Sequence, residues 1–337
     1  MDELKFKNCI LFGGNGFIGS HFANYLLERR IVDEIIIADI NPVKPDLWPK
    51  TLQQTFSAGK IKYIKLDVRQ PLIHPDLPAQ VDLIVNLAAV HREPGHKPEE
   101  YFATNIPGAE NVCAWAEKIN CDRILFTSSI AVYGGNNEVK DEDSLTMPLT
   151  PYGISKLTAE KIHIAWQAKN EHRKLLIVRP GVIFGSGERG NVSRMVKAIL
   201  GRYFVYTGNK SVRKAGGYVK ELCNAMAFML NLQERLGKSL LLFNFTMDPA
   251  PSLQEYASAI TRVANINRTI LDLPFNLLLL ASFFTQFVSS SINPTRIKKL
   301  LRYNDISAKR LREAGYEYKY TLTSGLEDWQ KERTEDW

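Results

Sequence analysis

Only four cysteines occur in the 337 residues, Cys9, Cys113, Cys121 and Cys223, and no two of them form a CxxC pair. So few and so scattered, they cannot staple a chain of this length, and they point to a reducing compartment, the cytoplasm. The opening residues do not read as a secretory leader either. Met1 to Lys7 is charged and runs straight into the apolar Cys9-Ile-Leu-Phe12, with no small-residue cleavage site behind a hydrophobic stretch. No apolar run reaches the ~20 uninterrupted residues that a membrane-spanning helix needs. Leu271 to Ser289 comes nearest, but Asp272, Pro274, Asn276 and Gln286 cut it. It reads as a buried helix, with an interfacial amphipathic helix as the alternative. Nor is there a dominant charge: 43 Lys+Arg against 36 Asp+Glu leave +7, which suits a phosphate-bearing ligand as well as a nucleic acid. The basic stretch Arg296 to Arg302 reads first as a solvated helix face, next as a diphosphate contact, and last as a nucleic-acid patch. Repeats and low-complexity tracts are also missing. With 45% hydrophobic and 23% charged residues, the composition excludes disordered, collagen-like and coiled-coil classes.

What is present is alternation. Apolar, β-branched runs recur between helix-like stretches at Cys9–Phe12, Glu34–Ala38, Ile61–Leu66, Asp82–Leu87, Arg123–Thr127, Leu175–Val178 and Leu241–Phe245. Strands that alternate with helices predict a parallel sheet, and runs apolar on both sides predict helices over both faces. The expected class is therefore α/β, a doubly wound, Rossmann-type sheet. Residues 1–180 read as the nucleotide-binding domain, and 181–337 mainly as a smaller substrate-binding lobe, with the strand near 241–246 returning to the sheet.

Gly13-Gly-Asn-Gly16-Phe-Ile-Gly19 follows the first strand and opens the helical pattern Phe17 to Arg29. Gly13 and Gly16 permit a tight turn and a close backbone approach to a pyrophosphate, and Gly19 permits close packing of helix on strand. The helix N-terminus adds free N–H groups and the positive end of its dipole. Asp39, twenty residues after Gly19, ends the second strand, where a carboxylate accepts hydrogen bonds from adenosine ribose hydroxyls and repels a 2′-phosphate. The pair therefore predicts NAD over NADP. Asp67 is a further acid, at the end of the third strand.

Tyr152-Gly-Ile-Ser-Lys156 opens a helix and places Tyr152 and Lys156 at i and i+4 on one face. To act as a base near pH 7, the phenol needs about 4 kcal/mol of preferential stabilisation of its anion, at ~1.36 per pKa unit. An adjacent ammonium in a desolvated cleft, with a positive nicotinamide ring nearby, can supply it. Leu125-Phe-Thr-Ser-Ser129 carries hydroxyls at the carboxyl end of a strand, the edge where such sheets bind ligands. Ser129 could share the substrate oxygen with the tyrosine.

These motifs, with Leu87-Ala-Ala89, Asn105-Ile-Pro-Gly108, Ser128 to Gly134 and Arg179-Pro180, fall in the order and spacing of a known family. The chain resembles the extended short-chain dehydrogenase/reductases, and within them the NAD-dependent nucleoside-diphosphate-sugar epimerases related to UDP-galactose 4-epimerase. The resemblance implies a bound NAD and no metal. It assigns to the cofactor Gly13, Asn15, Gly16, Phe17, Ile18, Gly19, Asp39, Asp67 and Val68 near the adenine, Leu87, Ala88, Ala89, Asn105, Thr127 and Pro180. Ser129, Tyr152 and Lys156 become the catalytic set, the last two also touching the cofactor. A sugar hydroxyl is oxidised and the keto sugar is reduced again from its other face.

Departures narrow the subtype. Dehydrating members carry an Asp-Glu pair just after the catalytic hydroxyl, where this chain has Ile130 and Ala131, and apolar residues cannot protonate a leaving hydroxyl. The same alanine disfavours the nucleotide-sugar decarboxylases. For substrate contacts the candidates are Ser129, Arg189, Asn191, Lys214 and Arg296, with Lys214 standing where the family has an arginine fork. A keto-sugar reductase or dehydrogenase on the same scaffold is the rival enzyme, and a non-catalytic dinucleotide sensor the rival from another class. The segments Pro98 to Lys118 and Tyr152 to Lys169 read as amphipathic helices, and the resemblance implies a homodimer paired through them.

Overall fold

The computed structural model describes residues 4–273 and 305–337, apart from 94, 136–137 and 208. Seven strands form one all-parallel sheet: β1 (Phe6–Phe12), β2 (Val32–Asp39), β3 (Ile61–Lys65), β4 (Leu83–Asn86), β5 (Arg123–Thr127), β6 (Lys174–Pro180) and, after three short strands, β10 (Leu240–Phe245). Their spatial order is β10-β6-β5-β4-β1-β2-β3. Each of the seven apolar runs became one of these strands, because a strand covered by helices on both faces buries mainly apolar side chains. The short strands β7 (Val182–Phe184), β8 (Tyr206–Thr207), β9 (Gly216–Tyr218) and β11 (Asp272–Leu273) make two separate pairs, β7 with β9 and β8 with β11.

Side chains alternate across the sheet with a period of two, and the two faces feed different cores. Cys9, Leu11, Leu83, Val85, Leu125 and Leu176 point to one face. There they meet Phe22 and Leu26 of α1 (Phe17–Glu28), and Leu222 and Met226 of the later helix α6 (Val219–Leu236). Ile10, Phe12, Ile84, Ile124, Phe126, Leu175 and Ile177 point to the other. They meet Val112 and Trp115 of α3 (Pro98–Lys118), and Ala159 and Trp166 of α4 (Pro151–Ala168). Each fully buried aliphatic side chain contributes about 1.5–3 kcal/mol relative to exposure.

Beyond β6 the chain builds α5 (Asn191–Leu200), α7 (Leu253–Val263), α8 (Lys309–Glu313) and α9 (Leu322–Glu332), while the short α2 (Lys50–Ser57) follows β2. α5 and α9 both pack on α7, and α8 packs on β10. No helix among the described residues is long and apolar enough to cross a membrane. Most of the apolar run Leu271 to Ser289, and the basic stretch with Arg296, lie outside the described residues.

Candidate active site

Gly13 leaves β1 at φ +74°, and its N–H donates to the Ala38 carbonyl at 2.8 Å. A Cβ at this position would stand 2.7 Å from the backbone nitrogen of Ala88, so the loops after β1 and β4 touch. β1 lies between β2 and β4, where the strand order reverses, and the crevice of such a sheet opens there. A Cβ on Gly19 would meet the Cα of Gly14 at 2.6 Å, which seats α1 tightly on the loop. No side chain caps the start of α1 at Gly16, and the N–H groups of Phe17, Ile18 and Gly19 are left for an anion. Asn15 braces the loop: its amide donates to the Pro42 carbonyl at 3.0 Å and accepts from the Trp48 indole at 3.0 Å.

Asp39 closes β2 and is nearly buried; its Oδ1 takes the backbone N–H and side-chain amide of Asn41 at 3.0 and 3.1 Å. Asp67 lies two residues beyond the end of β3, not on the strand as the sequence suggested. Its carboxylate is clasped by Arg69, with Nε and Nη2 contacts of 2.9 and 2.7 Å, and the guanidinium holds it below the usual carboxylate range. The Val68 carbonyl accepts from the Asn111 amide at 2.9 Å, tying this loop to α3.

At the carboxyl end of β5, Thr127 Oγ1 and Ser128 Oγ are buried with no hydrogen-bond partner among the described residues. Buried hydroxyls are nearly always paired, so two adjacent orphans mark a place built for a ligand. Ser129 caps a 3-10 turn over Ile130–Tyr133, accepting from the Ala131 N–H at 3.1 Å, and its hydroxyl lies near enough to the Tyr152 phenol to favour its anion. Tyr152 is presented by the first turn of α4, which Thr150 starts by accepting the Gly153 N–H at 3.2 Å with Pro151 in first position. One turn on, Lys156 is 2% exposed with Nζ 4.5 Å from the Phe126 ring centroid. Ser129, Tyr152 and Lys156 thus line one cleft.

Their electrostatics differ from the expectation. Burial pushes the Tyr152 phenol up to about 12; the Ser129 hydroxyl opposes this, and Glu93 and Tyr101 add to it. Burial also brings Lys156 down to about 7, against the pull of Glu160. A dry cleft favours the neutral form of both groups, and the protein alone does not draw the phenol toward 7.

Asn105, assigned to the cofactor from sequence, uses its amide to position the site: it exchanges hydrogen bonds of 2.8 and 3.1 Å with the Val90 backbone and donates to Ser155 Oγ at 2.9 Å. Leu87, Ala88 and Ala89 directly follow β4, and Pro180 ends β6. Arg189 is exposed just before α5, and Asn191, at its start, bonds Arg194 at 2.6 Å. Lys214 precedes β9, with its backbone N–H on the Pro251 carbonyl at 2.8 Å. Arg296 lies outside the described residues. Sequence reasoning passed over Glu160, His91 and Glu93, and the roles of Tyr133 and Arg179. Only Glu160 carried a local signal, four residues after Lys156 on the same helix face. No group of side chains suited to a metal ion occurs among the described residues.

The NAD dependent epimerase/dehydratase family matches residues 9–240. An N-acetyl-alpha-D-glucosaminyl-diphospho-ditrans,octacis-undecaprenol 4-epimerase of Escherichia coli O157:H7 is 29% identical, over 95% of this chain and 93% of its own. A decarboxylating sterol-4-alpha-carboxylate 3-dehydrogenase of Candida albicans is 25% identical, over 97% and 98%. Among solved structures, a UDP-N-acetylglucosamine 4-epimerase from Methanobrevibacter ruminantium M1, in complex with UDP-N-acetylmuramic acid, superposes with a TM-score of 0.74 at 19% identity, over 99% of this chain and all of that one.

Proposed function

Since the chain belongs to the NAD dependent epimerase/dehydratase family, we propose that it is an enzyme that epimerises a sugar carried on a diphosphate, through a transient keto sugar. The observation that carries this reading is the convergence of Ser129, Tyr152 and Lys156 in one cleft beside the glycine loop. The site fits NAD. The start of α1 at Gly16 has no side-chain cap, Thr127 and Ser128 offer unpaired buried hydroxyls, and Asp39 stands at the strand end where ribose hydroxyls bind. When bound, NAD supplies a reversible hydride sink and a positive ring.

Tyr152 accepts the proton of the sugar hydroxyl and later returns it to the keto oxygen. Ser129, beside the phenol, holds the same oxygen. Lys156 would hold the nicotinamide ribose and, when protonated, would add a positive charge one helical turn from the phenol. Ile130 and Ala131 follow Ser129 with no acid to expel a hydroxyl, which favours epimerisation over dehydration.

For the carrier, a nucleoside diphosphate is the first reading, with Arg189, Asn191, Lys214 and Arg296 as candidate contacts. A polyprenyl diphosphate is the second, favoured by the Escherichia coli relative that matches along nearly the whole chain. Incubating the protein with UDP-, GDP- and dTDP-sugars and with a polyprenyl-diphospho-N-acetylglucosamine in detergent should give stereochemical exchange at one carbon by NMR, without net NADH formation. Stoichiometric consumption of NAD(H) would establish the reductase or dehydrogenase instead.

We further infer a homodimer formed through the outer faces of α3 and α4, where Ala103, Ile154 and Ala165 are exposed. Light scattering at micromolar concentration should give twice the chain mass of 38.2 kDa. The cytoplasm is the proposed compartment, supported by four buried cysteines that form no disulfide.

A further inference from the structure

We propose that Glu160 is a positioning residue: locked by Arg179 one helical turn from Lys156, its carboxylate favours the charged form of that amine, and the same ion pair joins the elements that present Ser129, Tyr152 and Lys156. Glu160 is 1% exposed and lies one helical turn beyond Lys156 on α4. Arg179 of β6 clasps it with both forks, Nε to Oε1 at 2.8 Å and Nη2 to Oε2 at 2.7 Å. Such a bidentate pair fixes the orientation of the carboxylate as well as its distance. The third arm, Nη1, donates to the Tyr133 hydroxyl at 2.8 Å, and Tyr133 donates to Asn244 of β10 at 2.8 Å. Tyr133 ends the turn that Ser129 begins. One buried cluster therefore pins the turn after β5, the middle of α4 and the end of β6.

Lys156 is faced by Tyr152, Glu160 and His163 from its own helix, by Phe126 from β5 and by His91 from the connection after β4. The two histidines feel its charge as repulsion. Among the described residues Glu160 is the one anion acting on it, and it works against burial, which favours the neutral amine. Without that carboxylate the amine gives up its proton at lower pH.

The inference rests on the role given to Lys156 in the reaction proposed above, so its test is read first through NAD affinity, which needs no sugar. NAD titrations from about pH 4 to 9 should find the alkaline loss of affinity moved down by about one pH unit in Glu160→Gln, with Glu160→Asp restoring most of it. Because Glu160→Gln leaves Arg179 buried and unpaired, the double variant Glu160→Leu/Arg179→Met removes both charges and should show a smaller displacement in the same direction in a folded protein. An unchanged alkaline limb in both, with affinity reduced equally at every pH, would mean that the pair is merely structural and overturn the proposal. If the limb moves while the wild-type protein epimerises no sugar, the reaction fails and the role of Glu160 stands.

Discussion

Burial raises the Tyr152 phenol to about 12 and lowers Lys156 to about 7, so the phenol keeps its proton until a positive charge enters the cleft. This makes tyrosine chemistry conditional on the cofactor, a property that the spacing of the two residues could not reveal, because desolvation is set by what packs around the helix. Tyr152→Phe should lower turnover by well over tenfold while leaving NAD affinity largely intact, since the proton acceptor is lost and no principal anchor goes with it. Retention of more than a tenth of wild-type turnover, a loss under about 1.4 kcal/mol, would show that the phenol is not the base. Lys156→Ala should weaken both turnover and NAD binding. Ser129→Ala should cost less turnover than Tyr152→Phe, because it removes a shared hydrogen bond and leaves the base in place.

At the scale of elements, the placement of Tyr152 depends on where α4 begins. Thr150 and Pro151 set that point, one by capping the Gly153 N–H and the other by its fixed φ. Thr150→Ala should destabilise the protein by about 1 kcal/mol, visible as a lower thermal midpoint, and should lower turnover more than NAD affinity as the first turn frays. A variant with unchanged midpoint and turnover would show that packing alone holds this turn. The elements themselves were legible in the sequence: seven apolar runs gave the sheet, and the Gly13 to Gly19 and Tyr152 to Lys156 spacings put the two halves of the site at its carboxyl edge. The contacts between elements were not. Glu160 and Arg179 meet across a helix and a strand, Asn105 reaches from α3 to Ser155, and Asp67 turns to Arg69; each follows from packing that no local pattern encodes. Arg189, Asn191 and Lys214 sit at or beside loops, where periodicity gives no direction.

Across the whole molecule, two buried histidines set how far the fold tolerates acid. His163, between Phe126 and Asn86, donates from Nδ1 to the Ala159 carbonyl at 2.8 Å and accepts the Asn86 amide on Nε2 at 3.2 Å, so its neutral ring is fully matched. His21 ties α1 to the loop before α5 through Nε2 and the Ser186 carbonyl at 2.8 Å. Burial lowers both from the ordinary 6.5 to about 4. The unfolded chain therefore binds more protons than the folded one in this window, and their contribution, complete above about 6.5, is lost as pH falls toward 4. At ~1.36 kcal/mol per unit, each histidine should withdraw on the order of 2 kcal/mol between pH 7 and pH 5. Glu188 and Glu221 act in the opposite sense: burial raises their carboxyls, so their contribution is present at low pH and is lost as pH rises. The wild-type curve mixes the two, and the comparison that isolates the histidines is between variants. His21→Gln and His163→Gln should each be less stable than wild type at pH 7, yet each should lose less stability than wild type on going to pH 5, measured by urea unfolding at both pH values. If both variants lose as much as the wild-type protein over that step, the histidines are not the groups that take up protons as the fold fails.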